Sequence, residues 1–387
     1  IKGEWVYACD TTLGADDGLG VAAAMAVLES KTIKHGPLEA LFTTDEETGM
    51  TGAFGLKGNV LKGDYLLNLD SETEGELYVG CAGGIDATLN MPYATEPVPA
   101  DYCAMRLVIG GLQGGHSGME INTGRANANK LMFRMLRWVA DCGIRLAYVD
   151  GGSLRNAIPR DAQAVFVMPK AHKECIIAEF DKVAGWIKKE IATVEPDFFA
   201  KYQDAELPKE VICDADTQKI IRLVMVAPNG VQSMSQDVED LVETSLNMAR
   251  TITDTDSKVF TIMGLLRSSV DTAKEALGEQ IVCLAEMVGG TCELTGAYPG
   301  WRPNMESGLL KTMRDTYQKL YGKEPKVMAI HAGLECGLLG GVYPNMEMIS
   351  FGPTLNYPHS PDERANIESV KKFYNFLQAA LEAVPER

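Results

Sequence analysis

The first part of the sequence carries acidic residues in three short clusters, each beside a turn or at the end of an apolar run. The clusters hold Asp16 and Asp17 in "LGADDGLG", Glu46 and Glu47 in "TTDEETG", and Asp70 in "LNLDSE". Each cluster alone is ordinary, because Asp often caps helices and acidic loops often face solvent. Carboxylates that converge repel one another unless a cation neutralises them. The combination therefore predicts a metal site.

The histidines add a nitrogen ligand to this set. Three of the five lie in motifs rich in glycine or proline: His116 in "GGHSG", His331 in "IHAGLECG" and His359 in "YPHSP". Prolines restrict the loop around His359, which suits a metal ligand, although a turn histidine packed on its neighbours is the competing interpretation. We interpret His35 and His172 as surface residues. Mixed Asp, Glu and His ligands are typical of a two-metal hydrolytic site.

Regular elements must bring these side chains together. The Ala-rich run at 18–30 predicts a helix that the preceding Asp can cap, and the segments at 38–49 and 64–75 predict buried strands that end in acidic residues. In open α/β sheets, ligands bind beyond the carboxyl ends of the strands. We therefore expect the second and third acidic clusters to lie where chemistry is usually carried out.

The middle of the chain has a different pattern of strand, glycine loop and long helix. "MRLVIGGLQGGHSG" has a weaker echo in "IRLVMVAPNGVQSMS", where Arg222 aligns with Arg106 and Gln232 aligns with His116. This predicts a duplicated α+β unit in which a single copy kept an imidazole. We infer that His116 has a task beyond folding.

The chain divides into three segments on this pattern. Residues 1–84 and 299–387 form the two parts of one α/β domain, and residues 85–298 form an inserted α+β domain. From about residue 300 the pattern is a helix, a strand, a Gly-rich turn, a strand, the "YPHSPDE" loop and a final amphipathic helix. The dipeptides Gly83-Gly84 and Pro299-Gly300 are the candidate hinges.

Composition excludes several classes of function. Among 387 residues, 53 acidic and 36 basic side chains give a net charge of −17, so a nucleic-acid partner is not expected. The nine cysteines contain no C-x-x-C pair and indicate free thiols in the cytoplasm. No apolar stretch is long enough to cross a bilayer, so we expect a soluble protein with no membrane partner.

The motifs in their order resemble a known family. "TTLGADDGLGVA", "TTDEETGMTGA", "LNLDSE", "GGHSG" and "PHSPDE" are similar to the M20 metallopeptidases, and "HAGLECG" with the large insertion resembles their aminoacyl-histidine (Xaa-His) dipeptidase branch. The resemblance covers essentially the whole chain. It implies a zinc-peptidase domain with a mixed sheet flanked by helices, and an inserted lid of two duplicated ferredoxin-like units. It also implies cleavage of short, carnosine-like peptides that end in histidine.

The resemblance assigns roles to the acidic clusters. It implies that Asp16 bridges two zinc ions, that Glu47 and His359 complete one ion, and that Asp70 binds the other. Glu46 would be the general base, which takes a proton from the water between the ions. Mn²⁺ or Co²⁺ could replace zinc, because the ligand set does not choose among them. Neighbouring residues of an extended loop point in different directions, so we expect Glu46 and Glu47 to separate their roles.

The resemblance also implies a substrate site. The lid would close over the metals and would form a homodimer. His116 would polarise the scissile carbonyl, Arg267 would bind the free C-terminal carboxylate, and Asn156 and Gly333 would hold the substrate. Turn or surface positions are the competing interpretation for Asn156, Arg267 and Gly333. His331 and Glu335 rank lower, as supports of the metal ligands.

One family motif is missing from this sequence. The family carries an H-x-D motif upstream of the bridging Asp, and residues 1–15 contain no His. We therefore expect an incomplete second metal site in this sequence and a fragment of a longer enzyme, and the sequence leaves the activity of the fragment open. The alternatives are another M20 tripeptidase, broad dipeptidase or amide deacylase, a non-catalytic metal- or peptide-binding remnant, and a cysteine hydrolase that uses Cys336 with His331.

Overall fold

The computed structural model describes residues 1–384, apart from the side chain of residue 48. The chain divides into two compact units. Unit 1 consists of residues 1–83, 235–241 and 299–387, and unit 2 consists of residues 84–234 and 242–298. The function of unit 2 as a lid stays a prediction.

The elements follow in chain order. Residues 1–83 contain β1 (Trp5–Tyr7), α1 (Ala15–Glu29), α2 (Glu46–Gly49), α3 (Thr51–Gly55), β2 (Tyr65–Asn68) and β3 (Glu76–Cys81). Residues 84–298, with the adjoining Gly83, contain β4 (Gly83–Pro92), β5 (Thr95–Pro97), β6 (Tyr102–Gly110), β7 (Gly115–His116), α4 (Ala128–Val139), β8 (Arg145–Gly151), β9 (Ala157–Ile158), β10 (Ala162–Pro169), α5 (Lys173–Ile191), β11 (Phe199–Ala205), β12 (Glu210–Ile212), α6 (Asp214–Val226), β13 (Gly230–Met234), β14 (Val242–Asp254), β15 (Val259–Ser268), α7 (Asp271–Met287) and β16 (Thr291–Tyr298). The last stretch contains α8 (Gly308–Tyr321), β17 (Lys326–Ile330), α9 (Glu335–Val342), β18 (Glu347–Ser350), β19 (Leu355–Asn356), β20 (Arg364–Asn366) and α10 (Ile367–Ala383).

Unit 1 is built on a mixed four-stranded sheet in the order β17-β3-β18-β2. Helix α10 shows why the sequence folds this way. Its residues Phe373, Phe376, Leu377 and Ala380 follow helical spacing and are all buried in one apolar cluster. The Asn366 side chain caps the helix by accepting a hydrogen bond from the Ser369 backbone N–H at 3.0 Å. This apolar cluster thus packs α10 against the sheet of unit 1.

Unit 2 is built on a nine-stranded sheet in the order β11-β6-β10-β8-β14-β15-β4-β16, with β13 beside β14. Strands β6, β8, β10 and β11 with helices α4 and α5 form a β-α-β-β-α-β arrangement. Strands β4, β14, β15 and β16 with helices α6 and α7 form a second one, and the first is inserted after β4. Each half has the strand order of a ferredoxin-like unit.

The sequence alignment within unit 2 was wrong. Arg106 lies in strand β6, whereas Arg222 lies in helix α6, so the two segments are not equivalent. Residues Thr217, Ile220, Ile221 and Val224 are buried at helical spacing, and acidic residues occupy the first turn of α6. Because the segments are not equivalent, His116 and Gln232 cannot be compared by position. A role for His116 must be argued from the contacts of His116 itself.

Two predictions in unit 1 were also wrong. Residues 38–44 form no strand, because no neighbouring segment of the described residues supplies a ladder of hydrogen bonds. The Gly-rich "turn" after His331 is helix α9. Its glycine at 337 serves close packing, since an added Cβ would lie 2.6 Å from the Pro299 carbonyl oxygen. The helix at 18–30 and the strand at 64–75 are confirmed as α1 and β2.

Candidate metal centre and active site

Three predicted ligands come together in unit 1. Asp16 lies in the first turn of α1, Glu47 lies in α2, and His359 lies in the loop between β19 and β20. One ligand atom from each lies within 4.8 Å of the other two. Three segments far apart in the sequence thus converge on one point.

The distances in this group suit a metal ion. His359 Nε2 lies 3.4 Å from Glu47 Oε2 and 3.6 Å from Asp16 Oδ2. Two ligands at about 2 Å from a tetrahedral ion lie about 3.3 Å apart, so the three atoms can share one ion with small adjustments. The His359 backbone is held at φ 61°, a left-handed conformation that few non-glycine residues adopt.

Two further carboxyl groups lie beside these ligands. Asp70 follows strand β2 and forms a hydrogen bond with Asp16. Burial, followed by the negative charges of Asp17 and Asp16, raises the pKa of Asp70 to about 9. Burial, followed by the charges of Glu47 and Glu335, raises the pKa of Glu46 to about 7. Several carboxyl groups around one imidazole form a donor set that fits divalent cations.

Glu46 and Glu47 open a short helix and do not lie in an extended loop as predicted. Helix α2 begins at Glu46, so the two side chains are neighbours in one helical turn. Successive helical residues point in directions about 100° apart, but the Glu46 and Glu47 carboxyl groups form a hydrogen bond with each other, so Glu46 lies beside the candidate ligand Glu47. The proposed separation of roles is therefore compatible with a helix.

Asp17 has a capping role beside Asp16. Its Oδ1 accepts a hydrogen bond from the Gly20 backbone N–H at 3.1 Å, as an N-cap residue does. Burial raises the pKa of Asp17 to about 7 despite this hydrogen bond. The peptide bond between Asp16 and Asp17 is cis. The cap and the metal ligand are thus adjacent residues.

Glu363 supports the site and was not singled out from the sequence. Its carboxylate is buried and accepts hydrogen bonds from the backbone N–H groups of Gly14 at 2.9 Å, Ala15 at 2.8 Å and Asp16 at 3.3 Å. Burial alone would raise the pKa of Glu363, but these hydrogen bonds outweigh it and lower the pKa. Glu363 ends the "PHSPDE" motif, four residues after His359, and so ties the His359 loop to the Asp16 turn.

Removal of the Glu363 carboxylate should destabilise the folded protein at the Asp16 turn. We expect Glu363→Ala to lower the free energy of unfolding by about 2–4 kcal/mol, because three N–H groups lose a charged acceptor. Urea unfolding measures this effect, with the exposed neighbour in Asp362→Ala as the control. Equal stability of the two variants would contradict this role.

In unit 2, the imidazole of His116 has a defined tautomer. Its Nδ1 accepts hydrogen bonds from the backbone N–H groups of Gly118 at 3.2 Å and Met119 at 3.1 Å. The proton of the neutral ring is therefore on Nε2. Burial, followed by the positive charge of Arg267, lowers the pKa of His116. At neutral pH this ring is a neutral donor, and a preorganised N–H of this kind can stabilise an oxyanion.

Arg267 and Asn156 lie in the same unit as His116. The Arg267 side chain is buried, and it donates hydrogen bonds to Ser117 Oγ at 3.3 Å and Tyr298 Oη at 3.2 Å. The Asn156 side chain is exposed, and its backbone carbonyl accepts a hydrogen bond from the Ser117 N–H at 2.8 Å. Ser117 thus links its neighbour His116 to both Asn156 and Arg267.

The segment that follows β17 holds the lower-ranked candidates. Gly333 lies in the loop before α9, and His331 is buried. The buried Glu335 accepts a hydrogen bond from Thr43 Oγ1 at 2.8 Å, three residues before Glu46. Cys336 is fully buried, and burial raises its pKa well above the ordinary value, which disfavours the thiolate that a cysteine hydrolase needs.

Comparison with known proteins identifies the family. The model of peptidase family M20/M25/M40 matches residues 1–383. The chain belongs to this family. It is therefore a peptidase, a hydrolase of peptide bonds, and the family implies a metal cofactor. The predictions of an M20 peptidase and of its mixed α/β fold are confirmed.

Individual M20 relatives agree with this assignment. The cytosol non-specific dipeptidase of Escherichia coli (strain K12) is 44% identical over 388 residues, which cover 100% of this chain and 80% of that protein. The crystal structure of aminoacylhistidine dipeptidase from Vibrio alginolyticus has 46% identity and a TM-score of 0.95, over 100% of this chain and 79% of that one. A tripeptidase from Staphylococcus aureus subsp. aureus Mu50 shares the fold, with 14% identity and a TM-score of 0.51 over 99% and 74% of the two chains. Within residues 1–384, no helix has both the length and the apolar character to cross a membrane.

Proposed function

We propose that this M20 peptidase is a dipeptidase that hydrolyses Xaa-His dipeptides such as β-alanyl-histidine. The observation that carries the proposal is the convergence of Asp16, Glu47 and His359 within 4.8 Å. Similarity at 46% identity to a protein named aminoacylhistidine dipeptidase supports the substrate class. The relative from E. coli is named a non-specific dipeptidase, so a broader preference is the competing proposal.

The proposed cofactor is a pair of divalent cations, zinc first and Mn²⁺ or Co²⁺ as alternatives. Asp16, Glu47 and His359 would hold one cation, and Asp70 with the shared Asp16 would hold part of the second. When bound, such cations polarise a peptide carbonyl and make a water molecule more acidic. The donor types and the 3.4 Å separation of His359 from Glu47 support this set.

The remaining steps are proposed for side chains of this chain. The Glu46 carboxylate accepts the proton of the attacking water and then delivers it to the leaving amine. Without bound cations, burial and the charge of Glu47 raise the pKa of Glu46 to about 7. The His116 Nε2–H donates to the oxygen that becomes negative, and Arg267 binds the C-terminal carboxylate of the dipeptide while Asn156 and Gly333 contact its backbone.

The cellular setting is also part of the proposal. We propose a cytoplasmic homodimer formed through unit 2. The nine free cysteines and the relative named a cytosol dipeptidase support the compartment. Light scattering measures the molecular mass, and a monomer at micromolar concentration would contradict the dimer.

Substrate preference tests the proposed reaction. We expect hydrolysis of β-alanyl-histidine and Gly-His at a kcat/KM at least about 10-fold above that for Gly-Leu, with little activity on N-acetyl-leucine.

A variant of Arg267 tests its proposed contact with the substrate carboxylate. We expect Arg267→Ala to raise the KM for Gly-His about 10- to 100-fold. The KM for the C-terminal amide of Gly-His should change little, because the amide has no carboxylate to bind. Arg222→Ala, on the exposed side of α6, is the matched control. Equal losses on the acid and the amide would contradict the role of Arg267.

A further inference from the structure

The loop that carries Asn156 joins β8 to β9 in unit 2. Asn156 itself is exposed, and within the loop the Ala157 N–H donates to the Leu154 carbonyl at 3.1 Å. A short loop with one internal hydrogen bond does not by itself hold an exposed side chain in one place. Contacts from outside the loop must therefore fix the position of Asn156.

The side chain of Asn247 supplies two of these contacts. Asn247 lies in β14 and is 1% exposed. Its Nδ2 donates to the Arg155 carbonyl at 3.0 Å and to the Ala157 carbonyl at 2.8 Å, the two carbonyls on either side of Asn156. The carbonyl of Asn156 accepts from the Ser117 N–H at 2.8 Å. Three successive carbonyls are thus held, and the backbone at Asn156 is fixed.

The amide of Asn247 has one usable orientation. A flipped amide would place Oδ1 against two carbonyl oxygens, so the NH₂ group must face the loop. Oδ1 is buried and accepts no hydrogen bond from the described residues. The two hydrogen bonds from Nδ2 thus set the orientation of this side chain.

Arg155 anchors the loop from its other side. Its guanidinium donates to the carbonyls of Ala87 at 2.9 Å and Gly264 at 3.1 Å and to Thr88 Oγ1 at 2.6 Å. Its Nε lies 3.3 Å from Asp86 Oδ2. These partners belong to β4 and β15, two neighbouring strands of the large sheet. These contacts therefore hold Arg155, the residue before Asn156, against the sheet.

The same loop is connected to His116. Strand β9 pairs with β7, with Ala157 opposite His116. Ser117 joins the Asn156 carbonyl to Arg267, because its N–H donates to the former and its Oγ accepts from the latter. A displacement of residues 155–157 would therefore reach His116 and Arg267 as well.

We propose that Asn247 is a positioning residue for the reaction: by holding the carbonyls of Arg155 and Ala157, it fixes Asn156, and through the β7–β9 pair it also fixes His116, for contact with the dipeptide. This inference rests on the proposed function for the substrate roles of Asn156 and His116. Asn247 itself does not touch the substrate in this scheme.

Hydrogen exchange tests the positioning independently of catalysis. In Asn247→Leu we expect faster exchange of the Ser117 and Ala157 N–H groups, with unchanged exchange in α4 and α5. Asn247→Ser, which keeps one donor, should give an intermediate effect and serves if the Leu variant does not fold. Asn127→Leu is the matched control. This buried asparagine donates to Asn229 and Met248 and caps α4 through the Lys130 N–H, so its hydrogen bonds go to residues outside the loop, and here exchange in α4 should rise instead. Native exchange at Ser117 and Ala157 in the folded Leu or Ser variant would overturn the proposal.

Kinetics on Gly-His test the consequence. We expect Asn247→Leu to raise KM about 10- to 100-fold and to lower kcat less. In Asn247→Leu combined with Asn156→Ala, KM should be little higher than in the worse of the two single variants, because both changes act on KM through the contact of Asn156 with the dipeptide. Fully additive losses would overturn the proposal. An Asn156→Ala variant with wild-type kinetics, together with faster exchange in Asn247→Leu, would instead refute the substrate role of Asn156 and leave the positioning intact.

Discussion

Glu46→Gln is expected to lower kcat by about 100- to 10,000-fold while the bound metal stays the same. The amide keeps the size of the side chain but cannot accept the proton of the attacking water. Glu46 is absent from the group of Asp16, Glu47 and His359, so its loss removes no atom of that group. Initial rates on Gly-His and elemental analysis of the dialysed protein measure the two quantities.

The neighbouring residue provides the control for this variant. Glu47→Gln makes the same chemical change one residue further along α2, but we expect it to reduce both bound metal and activity, because Glu47 Oε2 is one of the three converging ligand atoms. Rates in Glu46→Gln near those of the wild type would contradict its role as base. Equal metal loss in both variants would show that the two roles are not separated.

The converging ligands could be predicted because their signals are local. Asp16 lies in the first turn of a helix, Asp70 follows a strand, and prolines stand on both sides of His359. Each residue type and its immediate surroundings are visible in a few letters of sequence. The small number of histidines also helped, because five histidines leave few candidates for a nitrogen ligand.

Glu363 could not be predicted in the same way. It lies 347 to 349 residues from the N–H groups that it binds, and no local pattern marks a carboxylate that will accept backbone hydrogen bonds. Its place in the motif with His359 was the available signal. Asn247 is a similar case, because an asparagine inside a strand indicates nothing about the loop it holds.

The errors in secondary structure have one physical cause. Apolar runs such as residues 38–44 and 221–227 are compatible with a strand, but a strand forms only where another segment pairs with it. The first run has no paired neighbour among residues 1–384. Residues 221–226 of the second run lie in α6, where Ile221, Leu223 and Val224 are buried. Tertiary contacts decided both cases, and those contacts are not visible in short windows of sequence.

The free energy of unfolding of the metal-free protein is expected to fall as pH rises from about 5 to 9. The pKa of Asp70 is raised to about 9 in the folded protein, largely by burial, and those of Glu46 and Asp17 are raised to about 7. These groups titrate near pH 4 in the unfolded chain, so in this window the folded state binds more protons than the unfolded state. Stability must then decrease with pH, and we expect a loss of about 2–4 kcal/mol after allowance for solvent screening.

Divalent cations should reverse this trend, because they bind the ionised carboxylates and displace the protons. In EDTA, urea unfolding at pH 5.5 and 8.5 measures the loss, and added Zn²⁺ or Mn²⁺ should restore stability more at pH 8.5 than at pH 5.5. Asp70→Asn should flatten the pH dependence in EDTA, whereas His359→Ala should keep most of it and lose the effect of the metal. A protein equally stable at both pH values, with no response to either cation, would show that the carboxylates are not gathered around a metal site, since neither repulsion nor ligation would then be present to explain their arrangement.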